Sequence, residues 1–106
     1  MEFCDIIIPL WDKTHKEDLI KSLNSLVDEK KYINNIILVI DGCKNYPKYL
    51  PEDHILQSKF LVIYNFRNFG PGYARNCGVI FSKSNNIIFL DAGDININKR
   101  IKLQLN

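Results

Sequence analysis

Two runs of apolar residues, Ile36–Ile40 (IILVI) and Ile87–Leu90 (IIFL), each stop at an aspartate with a glycine close behind it. Runs this short, apolar at every position, lack the alternation of a half-exposed strand and read as strands buried on both faces of a sheet. A third run, Cys4–Leu10 (CDIIIPL), holds Ile6, Ile7 and Ile8 and ends at Pro9, which has no amide hydrogen and so closes a strand rather than sitting inside one. Lys59–Tyr64 (KFLVIY) reads as a further strand. Between the first two strands, Thr14–Glu17 (THKE) has the spacing of a capping box, with Thr14 as cap. Leu19, Ile20, Leu23, Leu26 and Val27 then recur at helical spacing, opposite a solvated side carrying Lys16, Lys21, Asn24 and Asp28. Strand, helix, strand in this order predicts an α/β fold with a mainly parallel sheet, in which the strands all end on one edge. Asn34 and Asn35 are expected to break the chain before the second strand. Residues 43–58, interrupted by Pro47 and Pro51, read as a loop with one turn of helix near 52–57.

The ends of those strands carry the chemistry. Open α/β sheets bind their ligands beyond the carboxyl ends of the strands, which is where Asp41, Asp91 and Asp94 would converge on a common cavity. Carboxylates are hard ligands suited to Mg²⁺ or Mn²⁺, ions that usually keep waters and substrate phosphates in their shell. Asp and Gly after a strand are also ordinary turn residues, with Asp91 capping the turn and Asp94 solvated. Trp11, just past the first strand, offers a flat ring suited to cover a base or a sugar, or equally to pack the first loop.

Residues 65–78 (NFRNFGPGYARNCG) contain a turn at Gly70-Pro71-Gly72 that opens a helix with Pro71 near its first position. Tyr73, Ala74, Cys77, Ile80 and Phe81 are its expected buried face. A helix start behind glycines, with Arg75 beside it, can hold an anion such as a phosphate; Arg75 can also simply pair with a nearby carboxylate. The spacing is neither the dinucleotide fingerprint nor a Walker loop. Beyond Asp94, Asn98 is a candidate cap for a last helix that places Ile101 and Leu105 on one face.

Composition narrows the class. A chain of 106 residues is one domain at most, and 46% hydrophobic with 25% charged is the balance of a globular protein. A net charge of +2 without a basic stripe argues against nucleic acid. Cys4, Cys43 and Cys77 form neither a metal spacing nor a disulfide framework, which suits a reducing cytoplasm. Met1–Leu10 reads as a strand, not a leader, and no run approaches the roughly 18 apolar residues of a membrane span. His15 and His54 read as surface residues without a role.

The order of these features is similar to that of family 2 glycosyltransferases: a strand ending in Asp-Gly, then Asn65-x-x-Asn68-x-Gly70-x-Gly72, then Ala74-Arg75-Asn76-x-Gly78, then Leu90-Asp91-x-Gly93-Asp94. The resemblance covers essentially the whole chain, and the tail DININKRIKLQLN looks like the amylovoran-type branch that makes bacterial exopolysaccharides. It implies a Rossmann-like three-layer sandwich, the N-terminal, donor-binding part of a GT-A fold, with 1–106 as a truncated portion lacking the acceptor half and the general base. By the same resemblance, Pro9 and Trp11 line the base and ribose of a nucleotide-diphospho-sugar, a UDP-sugar being favoured, and Asp41 accepts from the base. Arg75 lies near the diphosphate, Asp91 faces the ribose, and Asp94, with Asp91, holds Mg²⁺ or Mn²⁺. The third position of the family's D-x-D region is Gly93 here, which leaves Asp94 as the main metal candidate. The implied activity is inverting hexosyl transfer to a glycan or lipid-linked acceptor, in the cytoplasm or at the inner face of the membrane. Two alternatives remain. One is a nucleotidyltransferase, which would want a glycine-rich basic loop after the first strand where WDKTHK stands. The other is a non-catalytic, homo-oligomeric interaction module, since a sheet without its later strands exposes an apolar edge.

Overall fold

The four apolar runs form one all-parallel sheet: β1 (Cys4–Leu10), β2 (Ile33–Asp41), β3 (Phe60–Asn65) and β4 (Ile87–Phe89), in the order β3-β2-β1-β4. These come from a computed structural model that describes residues 2–42 and 50–105; the expectations for Cys43 and Pro47 lie outside the described residues. Helices α1 (Lys16–Asn24), α2 (Pro71–Phe81) and α3 (Arg100–Leu105) complete the three layers. The Rossmann-like α/β expectation holds.

The two inner strands are buried on both faces because each face meets a different layer. Cys4, Ile6, Ile8 and Leu10 of β1 join Ile36, Leu38 and Ile40 of β2 against Leu19, Leu23, Leu26 and Ile101. On the other face, Ile7, Ile37 and Val39 pack against Ala74 of α2. Gly78 lets α2 come this close: a Cβ there would lie 2.6 Å from Ile7 Cγ2. The Cys4 thiol, wholly buried, is pushed up to about 11 by burial and then by the charges of Asp5 and Glu29, so it stays protonated.

Several local expectations give way to tertiary contacts. Thr14 does not cap α1; the cap position is His15, with no side-chain bond, and Thr14 Oγ1 instead accepts from the Trp11 amide at 3.1 Å. The α1 helix ends at Asn24, and a tighter 3-10 stretch, Val27–Tyr32, continues with a kink at Glu29. Asn34 and Asn35 lie inside β2 rather than before it. The register between β1 and β2 shifts at Cys4/Asp5, and the Asn35 amide is taken up by the buried Asp5 carboxylate at 3.0 Å. The helical turn expected near 52–57 is a 3-10 turn at Gln57–Lys59. His54 is not a lone surface residue: its Nδ1 accepts from the Leu56 amide, which leaves Nε2 to donate to Asn24 Oδ1 at 2.8 Å, and burial lowers its pKa.

Two faces expected to be buried are open. In α2 only Ala74 and Gly78 are buried, whereas Tyr73, Ile80 and Phe81 are exposed, Ile80 to 77%. Strand β4 is an edge strand in which Ile88 is buried and Phe89 is exposed; Leu90, just past it, is buried. The last helix starts at Arg100 rather than at a cap on Asn98, and Ile101 is its buried residue as expected.

Candidate functional site

Because all four strands run the same way, β1, β2 and the turn after β4 deliver their ends to one side, next to the start of α2. The cavity there has a volume of about 570 Å³ and is lined by Pro9, Leu10, Trp11, Thr14, Asp41, Asn68, Gly70, Pro71, Ala74, Arg75, Asp91 and Ala92. That volume lies within the range of small-molecule sites, about 300–1,000 Å³. Five of the six residues singled out from the sequence, Pro9, Trp11, Asp41, Arg75 and Asp91, line it. Asp94 does not, so the expected convergence of three aspartates is met by two.

The floor is set by Asp41, at the end of β2 and 3% exposed. Its Oδ1 accepts from Asn65 Nδ2 (3.4 Å) and the Phe69 amide (3.1 Å), and its Oδ2 from the Phe69 amide (3.1 Å) and the Gly70 amide (2.8 Å). Three donors meet this carboxylate, the single Phe69 N–H being shared between its two oxygens. In this arrangement Asp41 lines the cavity and also holds the turn into α2. Asn68 Oδ1 reinforces that turn by accepting from the Gly70 amide at 3.0 Å. The Phe69 and Gly70 amides in front of α2 are therefore occupied by a carboxylate.

Opposite, Trp11 is 44% exposed on the cavity wall, with Lys13 Nζ 5.8 Å from its ring centre. Arg75, in the first turns of α2, reaches the end of β4: its NH2 donates to Asp91 Oδ1 at 3.0 Å and Oδ2 at 3.2 Å. Both partners are partly exposed, so the pair contributes little to stability and can exchange for a ligand. Asp94 lies one turn beyond, its amide donating to the Asp91 carbonyl at 2.9 Å.

For a divalent ion the donor set is hard oxygen from Asp91 and Asp94. Among the described residues no group of three or more His, Cys, Asp or Glu side chains is arranged to hold a metal. Two carboxylates would supply at most part of a coordination shell, so an ion of the Mg²⁺ or Mn²⁺ kind would have to take its remaining oxygens from a phosphorylated ligand and water.

The sequence patterns carry the rest of the assignment. The model of the glycosyl transferase family 2 matches residues 5–106. The chain belongs to that family. No curated protein matches it significantly. Other residues of the pattern have structural tasks. Asn65 and Asn68 hold Asp41 and the glycine turn, and Gly78 seats α2 on β1. A family 2 glycosyltransferase acts on a nucleotide-sugar donor and an acceptor in general terms. No helix among the described residues is long and apolar enough to cross a membrane.

Proposed function

We propose that this cavity binds the donor of a glycosyl transfer, a nucleotide-diphospho-sugar. The observation that carries the reading is the meeting of Trp11, Arg75 and Asp91 around one cavity at the carboxyl edge of the sheet. Trp11 and Pro9 present the flat, apolar wall for the base and ribose. Arg75 turns from Asp91 to the diphosphate, a planar cation well matched to phosphate oxygens. Asp91, released from Arg75, would face the ribose and, with Asp94, would hold Mg²⁺ or Mn²⁺. That ion, when bound, neutralises charge on the departing diphosphate. Asp41 keeps Phe69 and Gly70 in place so that Arg75 starts from a fixed helix end.

In the transfer itself, the bond between the anomeric carbon and the diphosphate oxygen breaks as an acceptor hydroxyl attacks from the opposite side, with inversion. Acceptor recognition and proton removal are not assigned to residues of this chain. Its tail pattern favours polysaccharide assembly of the amylovoran kind on the cytoplasmic side, a reading that rests on resemblance alone.

Calorimetry tests the proposal. UDP is expected to bind, more tightly with Mn²⁺ than without. Trp11→Ala should weaken it roughly tenfold, since base–aromatic stacking is worth about 1–3 kcal/mol. Absence of binding at millimolar nucleotide, with or without metal, would count against it. A second reading, an oligomeric interaction module, is favoured by the apolar side chains exposed on α2 (Val79, Ile80, Phe81) and on β4 (Phe89). It predicts a concentration-dependent oligomer in size exclusion that ignores nucleotide.

A further inference from the structure

The segment from Asp91 to Lys102 has little sheet or helix of its own until Arg100, yet its backbone is held at several points by one face of a neighbouring element. Ser22 of α1 is completely buried. Its hydroxyl donates to the Asp94 carbonyl at 2.6 Å, lies 3.3 Å from the Asp91 carbonyl, and accepts from the Gly93 amide at 2.9 Å. The same Gly93 amide also reaches the Asp18 carbonyl at 3.2 Å. Three residues along, the Ser25 hydroxyl donates to the Ser22 carbonyl at 2.6 Å and accepts from the Asn96 amide at 2.8 Å. Further on, the Glu29 carboxylate takes the Asn96 side chain and the Ile101 and Lys102 amides. Positions 22, 25 and 29 lie on one side of the α1 and 3-10 stretch, so a single face clamps the acidic turn and its continuation.

A serine on the face of an amphipathic helix that packs into an apolar core is out of place unless its hydroxyl is used. Here both its donor and its acceptor capacity are spent on the three residues that separate and include the two candidate metal carboxylates. We propose that Ser22 is a positioning residue for the donor site, fixing the backbone of the Asp91–Asp94 turn and with it the place of the Asp91 carboxylate on the cavity wall, where it would meet a divalent ion. This rests on the donor-binding reading of the cavity. Ser22 touches neither ligand nor metal; it acts through the turn. Outer partners of metal ligands commonly matter in this way, their loss costing about 10–100-fold in metal affinity.

The test compares the full chain with Ser22→Ala and Ser22→Thr. UDP affinity is measured with and without Mn²⁺ by calorimetry, and bound Mn²⁺ is followed by the loss of its free-ion electron paramagnetic resonance signal. Ser22→Ala is expected to lose about tenfold or more of the Mn²⁺-dependent tightening, while metal-free UDP binding stays near wild type. Threonine, which keeps the hydroxyl, should restore the metal-dependent part. If alanine fails to fold, Ser22→Cys, close in size but a weak donor, replaces it with the same expectation. A variant that keeps the full Mn²⁺ effect overturns the role of Ser22 and leaves the cavity reading standing. Equal loss with and without metal, unrepaired by threonine, also overturns it, since that is what a purely structural serine would give. A wild-type chain that binds no UDP under either condition overturns the donor-site reading, and the inference with it.

Discussion

Replacing Gly42 by alanine is expected to lower stability by roughly 3 kcal/mol or more and to abolish ligand binding at the cavity. Gly42 follows Asp41 directly and has φ +72°, a conformation that costs an L-residue about 1–2 kcal/mol. Space is the larger problem. A Cβ at this position would sit 2.3 Å from the Asn68 nitrogen, 2.6 Å from the Arg67 carbonyl carbon and 2.8 Å from the Asn68 Cα. All three are backbone atoms, so no side-chain rotation relieves the clash. The Arg67–Gly70 segment must move away, and that stretches the bonds from the Phe69 and Gly70 amides to Asp41. Hydrogen bonds to a charged group are worth about 1.5–3 kcal/mol each, and they also seat the start of α2, which carries Arg75. Thermal melting reads the effect as a fall of about 12 °C or more for a domain of this size. Gly72→Ala is the control: a Cβ there meets nothing within 4 Å and its φ is ordinary, so stability should be unchanged or slightly raised. A Gly42→Ala protein melting within a few degrees of wild type would mean the loop is not held as described.

Glu29→Ala is expected to cost about 3 kcal/mol, and this loss has a pH signature. The residue is 4% exposed and accepts from Asn96 Nδ2 (2.9 Å), the Ile101 amide (3.2 Å) and the Lys102 amide (2.8 Å). Truncation leaves those donors without their acceptor beneath α3, whose Ile101 is part of the core. Burial alone would raise the pKa of this carboxyl. The hydrogen bonds from Asn96, Lys102 and Ile101, with the charge of Arg100, together outweigh it and hold the pKa below the ordinary value of 4.5. A carboxyl depressed on folding stabilises the native state fully above its unfolded pKa and ceases to do so as pH falls through the lower folded one. Urea unfolding as a function of pH should therefore show wild type losing stability progressively below 4.5. Glu29→Gln, which cannot titrate, should start lower at neutral pH and converge on wild type in acid. Parallel curves for the two proteins would contradict the assignment.

The features legible in the sequence are those set by neighbours along the chain. Apolar runs marked β1 and β2, the stop at Asp41 marked the end of β2, and glycine with proline marked the start of α2, because strand periodicity and turn geometry are local; Pro9, expected to close its strand, instead lies inside β1 opposite Val39. The order of motifs was enough for the fold class and the family. What was not legible depends on partners far apart in the chain. Ser22 and Asp94 are 72 residues apart, and although the helical period puts that serine beside Leu19, Leu23 and Leu26, nothing in KEDLIKSLN names the partner of its hydroxyl. Thr14 had the local spacing of a cap, but its hydroxyl is engaged by the Trp11 amide in the preceding turn. Asp41 was recognisable as a strand-end carboxylate, whereas its bonds to loop amides required knowing that Phe69 and Gly70 fold back over it. The apolar residues of α2 satisfied the helical period, yet among them Ala74 and Cys77, with Gly78, meet the sheet while Tyr73, Ile80 and Phe81 do not, since a narrow four-stranded sheet covers one stripe of the helix.

The most direct measurement is a map of backbone amide chemical shifts as UDP is added, first alone and then with Mg²⁺. The shifts should concentrate on residues 10–14, 68–75 and 91–94, with the last group responding chiefly to the metal. Shifts absent at millimolar nucleotide, or gathered on the opposite edge of the sheet around Asp5 and Ser82, would contradict a donor site in this cavity.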